Sequence, residues 1–409
     1  MTAEDTEVDK PAPDGGFKAW TMALLGHLVT FNTWGYFLCY GVFQTYYVSS
    51  LSRSLSDIAW IGSLQMFLLF FVGTFSGRAL DAGFFRHTVA AGAALNLLGI
   101  FMTSICQHYW QVLLAQGVCT GIGSGLQFAP AMSLVSTYFS TNRNLAIGVV
   151  ATGSATGGMV YLVIFQQLLP RVGFGWAVRT LGFLNLGLSA LVVAFMESRL
   201  LPRKSGSLLD LDALKDPTYL LCCAAMVLNF LAVYFTFYYI GIFSRSVIGL
   251  EYRDSITILL IMNGVGVIGR MLPNYLADKR FGALNTIIPV TFTTGIMMFA
   301  WTGVTTHKSL IVFAVLYGIS SASLQSMFPA MISSLSPDPR KAGTRMGMAF
   351  TIVSFACLMG PPIAGALIRA LDGEFLGAQL WGGSLLILGG LILVVSRLLK
   401  TGLKFKVNV

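Results

Sequence analysis

The sequence predicts an all-α membrane protein of twelve transmembrane helices in two six-helix bundles, and three observations carry that expectation. The chain has 409 residues, 55% of them hydrophobic and only 11% charged, with a mean hydropathy of +0.74. That is more apolar than a soluble globular protein sustains. Its charges are grouped so that long uncharged windows separate them, and a sequence motif in the first half returns in the second.

The windows run over 19–52, 58–77, 88–142, 144–170, 180–196, 217–244, 255–277 (interrupted by Arg270), 281–307, 309–337, 346–368 and 375–396. A helix needs about 20 residues to cross a hydrocarbon core of ~30 Å, so each window holds one span. The window 88–142 holds two, divided at QHYWQ (107–111). Twelve spans result.

Lysine and arginine orient them. With a cytoplasmic N-terminus, inner loops and tails carry 18 of the 26 basic residues and outer loops carry seven, leaving Arg270 alone at depth. This bias satisfies the positive-inside rule and predicts that both termini face the cytoplasm. The net charge of +9 is spread over short loops, so it reads as membrane topology and not as a nucleic-acid-binding surface. The opening segment MTAEDTEVDKPAPDGG lacks the basic start and short apolar core of a cleaved signal peptide, which leaves the first helix as the targeting signal. The six cysteines fall in apolar windows without CxxC spacing and read as small buried hydrophobes.

The polar stretch 199–216 reads as a cytoplasmic linker. It divides an N-terminal bundle (19–198) from a C-terminal bundle (217–398), with tails at 1–18 and 399–409. GLQFAPAMSLVS (125–136) is echoed 198 residues later by SLQSMFPAMISS (323–334), as expected of parallel repeats related by an axis along the membrane normal. Gly117, Gly121 and Gly125 are four apart, as are Gly153 and Gly157, giving small faces for close helix packing. Pro130, Pro329, Pro361 and Pro362 interrupt helical hydrogen bonding within spans.

One residue stands out in NGVGVIGRMLPNYLADKR (263–280): Arg270, nine residues before Lys279 and so about 13 Å from the inner edge by helical rise. A guanidinium at helix centre costs about 2.5–3.5 kcal/mol on insertion scales, so it should face the bundle interior or a water-filled cavity. Its planar fork suits a carboxylate; snorkelling or bonding to helix-end carbonyls is the structural alternative. None of the 17 acidic residues lies mid-membrane. His27 is then the titratable group at useful depth, a candidate for proton coupling or a packing histidine. Asn32, Gln127, Tyr234, Tyr238, Asn263 and Gln325 are further substrate-binding candidates, each with an alternative role as hydrogen-bond glue between helices.

Several segments together resemble the monocarboxylate-porter branch of the major facilitator superfamily, particularly its fungal members. They are DGG with Ala19 and Trp20, WIGS (60–63), GRALDAGFFR (77–86), GVCTGIGSGLQFAPAMS (117–133), RNLAIGV (143–149), GSATGG (153–158), GFGWAVR (173–179) and GRMLPNYLAD (269–278). The resemblance spans nearly the whole chain. It implies the major facilitator fold and alternating access, an anion-binding role for Arg270, and gating loops at Gly77, Asp81 and Arg86 in one half and Asp278 and Lys279 in the other. Two departures matter: the first-helix lysine of animal lactate carriers is replaced by Leu38 or a neighbour, and NGVGVIG before Arg270 contains no acid. A plain proton–lactate symporter is therefore disfavoured.

The expected function is secondary active or facilitative transport of a small organic acid or secondary metabolite, with export as one direction. The substrate is expected to be an organic anion and the location the plasma membrane. No P-loop, HExxH or other enzymatic or cofactor motif is present, so neither an enzyme nor a cofactor is expected, nor a nucleic-acid partner. A non-transporting nutrient sensor built on a transporter fold is the alternative.

Overall fold

The computed structural model describes residues 14–81, 83–199, 210–335 and 342–402. Within them the chain forms twelve helical spans: α1 (16–50), α2 (Leu55–Asp81), α3 (Phe85–Thr103), α4 (Tyr109–Thr137), α5 (143–172), α6 (174–195), α7 (Pro217–Ser246), α8 (Tyr252–Phe281), α9 (Ala283–Gly303), α10 (His307–Ser334), α11 (Ala342–Ala370) and α12 (Leu376–Thr401). No strand occurs among the described residues.

Two spans depart from a plain helix. The segment Arg143–Phe195 is helical for 53 residues, about 80 Å if straight and more than twice the hydrocarbon thickness. Gly173, at φ 74° and ψ 172°, turns it back on itself and makes it α5 and α6. Only glycine adopts that backbone readily, which is why GFG stands at the outer end of the pair, the end away from the chain termini; the inner end is the one that carries the termini. In α1 a π-helical turn at Phe31–Gly35 adds a residue to the local repeat and shifts the helical phase at mid-membrane.

Within the first bundle α1 packs on α5 and α4, and α4 on α2 and α3; within the second, α8 packs on α10, and α12 on α7 and α9. Glycine sets the closest crossings. A Cβ on Gly153 would lie 2.1 Å from the His27 carbonyl, and one on Gly35 would lie 2.6 Å from the Gly157 Cα, so α1 and α5 touch backbone to backbone.

The bundles meet through α2 with α11, α5 with α8, and the outer halves of α1 and α7. They are bridged at both ends. At the outer end the Ser56 hydroxyl donates to the Pro362 carbonyl at 3.2 Å, and Gln166 Nε2 donates to the Arg253 carbonyl at 3.3 Å. At the inner end the Thr74 hydroxyl donates to the Gly347 carbonyl at 2.7 Å and lies 2.6 Å from the Thr351 hydroxyl. The Asp278 carboxylate accepts there from Asn144 Nδ2 at 2.6 Å and from the Leu145 N–H at 2.9 Å.

Candidate functional site

Between these two sets of bridges lies a cavity whose empty space, counted together with the open solvent at its mouth, is about 460 Å³. From the first bundle it takes Thr30 and Trp34 of α1, Phe70 of α2, Phe128 and Met132 of α4, and Ala151 and Ser154 of α5. From the second come Phe230 and Tyr234 of α7, Arg270 of α8, Phe350 of α11, and a wall of α10 that includes Gln325, Ser326 and Phe328. The lining is mostly apolar, with seven aromatic rings and a few polar groups, as small-molecule sites generally are. A second cleft continues past Phe350 toward the inner end, bordered by Thr74, Gly77, Arg78 and Gly347.

Arg270 is the one charged residue of the central lining and is 3% exposed. Its Nη1 donates to the Gly266 carbonyl of its own helix at 3.2 Å. No carboxylate pairs with it among the described residues. The backbone beneath it is held by Asn274, whose Nδ2 donates to the Arg270 carbonyl at 2.7 Å and to the Ser326 hydroxyl at 3.1 Å. The Ser323 hydroxyl ties α10 to the Gly269 carbonyl at 2.8 Å. These bonds fix α8 against α10 and hold the guanidinium at the cavity wall. The Gln325 Nε2, also on that wall, is buried without a hydrogen-bond partner among the described residues, a cost of roughly 1–3 kcal/mol that an incoming acceptor relieves.

The other sequence candidates lie elsewhere. Asn32 belongs to a network inside the first bundle: its Nδ2 donates to the Asn185 carbonyl and the Ser189 hydroxyl, and its Oδ1 accepts from the Tyr161 hydroxyl. Gln127 donates back to the Gly123 carbonyl of its own helix and packs where α4 crosses Gly92 of α3. Asn263 sits against Gly158 at the contact of α8 with α5. Tyr238 packs on Tyr40 in the outer seal, ring centroids 5.0 Å apart. Of the six polar candidates named with Arg270, the structure brings only Tyr234 and Gln325 to the cavity.

His27 does not line the cavity. Its Nδ1 lies 3.1 Å from both the Val149 carbonyl and the Thr152 hydroxyl, and its Nε2 lies 3.0 Å from the Thr156 hydroxyl. Both ring nitrogens are thus occupied in clamping α1 to α5.

Among the loop candidates, Asp278 makes the bridge to α5 given above, while Lys279 is exposed. Arg86 donates to the Val193 and Ala194 carbonyls at 3.0 Å each, capping the end of α6 within its own bundle. Gly77 borders the inner cleft. The side chain of Asp81 lies outside the described residues.

Sequence reasoning missed Trp34, Phe128, Phe230, Phe328 and Phe350. One signal could have found some of them. The repeated motif lies on α4 and α10, and both copies supply cavity residues: Phe128 and Met132 from one, Gln325 and Phe328 from the other.

Comparison with known proteins decides the family. The description "Major Facilitator Superfamily" matches residues 24–313. This chain belongs to the Major Facilitator Superfamily. Among its relatives in that superfamily, an MFS-type transporter of Gibberella zeae is 45% identical over 97% of this chain and 90% of its own length. The MFS-type transporter dbaD of Emericella nidulans is 37% identical, covering 94% and 87%, respectively. The aspyridones efflux protein apdF of the same organism is 36% identical, covering 94% and 78%. As a Major Facilitator chain with a central cavity between two bundles, it is a multi-pass membrane transporter of small molecules.

Proposed function

We propose that this transporter exports a secondary metabolite or related organic acid bearing an anionic group, by alternating access around the central cavity. The observation that carries the reading is the buried Arg270 guanidinium, placed at the cavity wall without a carboxylate partner among the described residues. A buried charge is stable only when paired or solvated, and an anionic ligand supplies the missing partner through a charge-assisted, bidentate contact. Since no acid occupies any span interior, no rocking motion supplies an internal counter-ion instead.

Several features support the details. The name of the apdF relative includes efflux, and outward transport is the direction we assign here. The segments that resemble monocarboxylate porters fit an organic anion as cargo, and the absence of the lactate carriers' lysine and acid fits a substrate other than lactate. Tyr234 and Gln325 join Arg270 as binding residues. Asp278 acts as an inner latch that releases α5 when the bundles separate. The basic inner loops support cytoplasmic termini, and we assign the protein to the plasma membrane, with residues 199–216 linking the halves.

The test compares metabolites released into the medium by cells with and without the gene, and by cells expressing Arg270→Ala. Export of a defined acidic metabolite should vanish in the deletion and in the variant, with the variant still present in the membrane. Undiminished export by Arg270→Ala would remove the guanidinium from the transport site.

A further inference from the structure

The near-parallel aromatic rings of the cavity, taken with its single charge, point to a narrower cargo than an organic anion in general. We propose that the site selects a planar aromatic monoanion, held face-on between rings contributed by opposite bundles while Arg270 and Gln325 bind its anionic end. This rests on the export reading above and deepens it.

Two pairs of rings carry the shape argument. Trp34 of α1 faces Tyr234 of α7 with ring centroids 6.3 Å apart and planes 22° from parallel. Phe128 of α4 faces Phe350 of α11 at 6.1 Å and 28°. Each pair joins the first bundle to the second, and all four rings line the cavity. Rocking of the bundles therefore changes the spacing within both pairs directly. A flat conjugated ligand needs about 7 Å between flanking rings, two contacts of roughly 3.5 Å each. A small separation of the bundles admits it, and closure returns both faces to contact. Stacked or edge contacts between aromatic rings favour binding by about 2- to 12-fold beyond the burial of area alone, which an aliphatic body of similar size forgoes.

Charge sets the other half of the selection. The lining holds one guanidinium and no other ionised group, so a monoanion leaves the closed cavity neutral. A neutral ligand leaves the cation unpaired, and a dianion leaves a net negative charge in a medium of low dielectric constant. The hydroxyls facing in from the first bundle are already committed to backbone: the Thr30 hydroxyl lies within hydrogen-bond reach of the Gly26, His27 and Val150 carbonyls, and that of Ser154 donates to the Ala151 carbonyl. Among the lining residues two buried donors lack a partner: Gln325 Nε2, beside Arg270 on the second bundle, and the Trp34 indole Nε1 on the first. An anion with two acceptor atoms, such as a carboxylate, an acidic enol with its neighbouring carbonyl, or a phenolate beside one, meets Arg270 and Gln325 at once.

The experiment measures the thermal stability of the purified full-length protein in detergent against four probes: naphthalene-2-carboxylate, naphthalene-2-carboxamide, decahydronaphthalene-2-carboxylate and naphthalene-2,6-dicarboxylate. Ligands that bind the folded state raise its melting temperature in proportion to occupancy, so apparent affinities follow from titration. Naphthalene-2-carboxylate should bind at least about tenfold more tightly than the amide or the dianion, and about 5- to 10-fold more tightly than the alicyclic acid. Trp34→Leu should erase the preference for the aromatic acid over the alicyclic one and keep the preference for acid over amide; Arg270→Gln should do the reverse. No stabilisation by naphthalene-2-carboxylate would overturn the proposal, as would equal binding of the amide or of the alicyclic acid, or tighter binding of the dianion. If either variant fails to fold, the ranking of the four probes on the unaltered protein decides alone. A gene deletion that abolishes export of a metabolite, combined with a failed ranking, would retire the planar-anion proposal and leave the export reading standing.

Discussion

Replacing Asp278 by alanine should loosen the inner end of the α5–α8 contact by an amount the structure allows to be worked out. The carboxylate accepts from Asn144 Nδ2 at 2.6 Å and from the Leu145 N–H at 2.9 Å, at the first turn of α5. Hydrogen bonds to a charged group contribute about 1.5–3 kcal/mol, and an anion at a helix N-terminus a further 0.3–1 kcal/mol or so. Asp278 is half-buried, so solvent screening lowers the sum to about 1–2 kcal/mol. Since 1.4 kcal/mol is tenfold in an equilibrium, the inner end should open roughly 5- to 30-fold more often. Hydrogen–deuterium exchange in nanodiscs reads this directly: amides at 144–148 should exchange faster in Asp278→Ala by about that factor, while those of the outer half of α5 stay as they were. Exchange at 144–148 unchanged from the original protein would refute the latch, because the Leu145 N–H would then have lost its acceptor without consequence.

Three further outcomes follow from other contacts. His27→Gln should leave the pH profile of transport intact and lower thermal stability, because the imidazole is held by α5 groups away from the cavity; a flattened pH profile would restore His27 as a proton carrier. The Asp14 carboxylate accepts from the amides and hydroxyls of Ser140 and Thr141, which hold its pKa well below the usual carboxylate range. A depressed folded-state pKa means that the stabilisation is present above the ordinary value near 4 and is lost as pH falls through the lower one. Protection of the 140–141 amides should therefore fade on acidification below about pH 4 and be lost at neutral pH in Asp14→Asn, as followed by amide exchange. Gly153→Ala should destabilise the first bundle by at least about 1–3 kcal/mol, the usual cost of overpacking, because the new methyl would meet the His27 carbonyl; an unchanged melting temperature would show that α1 and α5 can separate freely.

The spans were legible because lipid forbids unpaired charge, so the gaps between charges mark helices with little help from periodicity. The crossing at Gly153 and Gly157 was legible for the same kind of reason: a backbone-to-backbone approach tolerates no side chain. Which polar residues reach the cavity was not. In water a polar side chain marks the exposed face of a helix, but in a membrane bundle it is drawn to whatever partner is near. Asn32 found Tyr161, Asn185 and Ser189 inside its own bundle, and Gln127 found a carbonyl of its own helix. The π turn at Phe31–Gly35 added a second obstacle, since it shifts the phase of α1 where Trp34 enters the cavity and defeats any count by 3.6 residues.

The internal repeat predicts two similar walls, yet the two bundles divide the chemistry unequally, and the division bears on how such a site works. Phe128 and Met132 are four apart and form the cavity face of α4; Gln127 is one residue, about 100°, away and turns toward α3. In α10 the motif carries an extra residue between glutamine and proline, so Gln325 stands four before Pro329, on the same face, and both line the cavity. The first bundle thus presents aromatic surface, hydroxyls already bonded to backbone and the Trp34 indole N–H, while the second presents the guanidinium and the Gln325 amide. A ligand anchored by its charge travels with the second bundle, and the first bundle mainly covers or uncovers its apolar body. The energetically costly step, desolvating the charge, then occurs once, on binding, and the rocking motion exchanges mainly apolar contacts that re-form on either side.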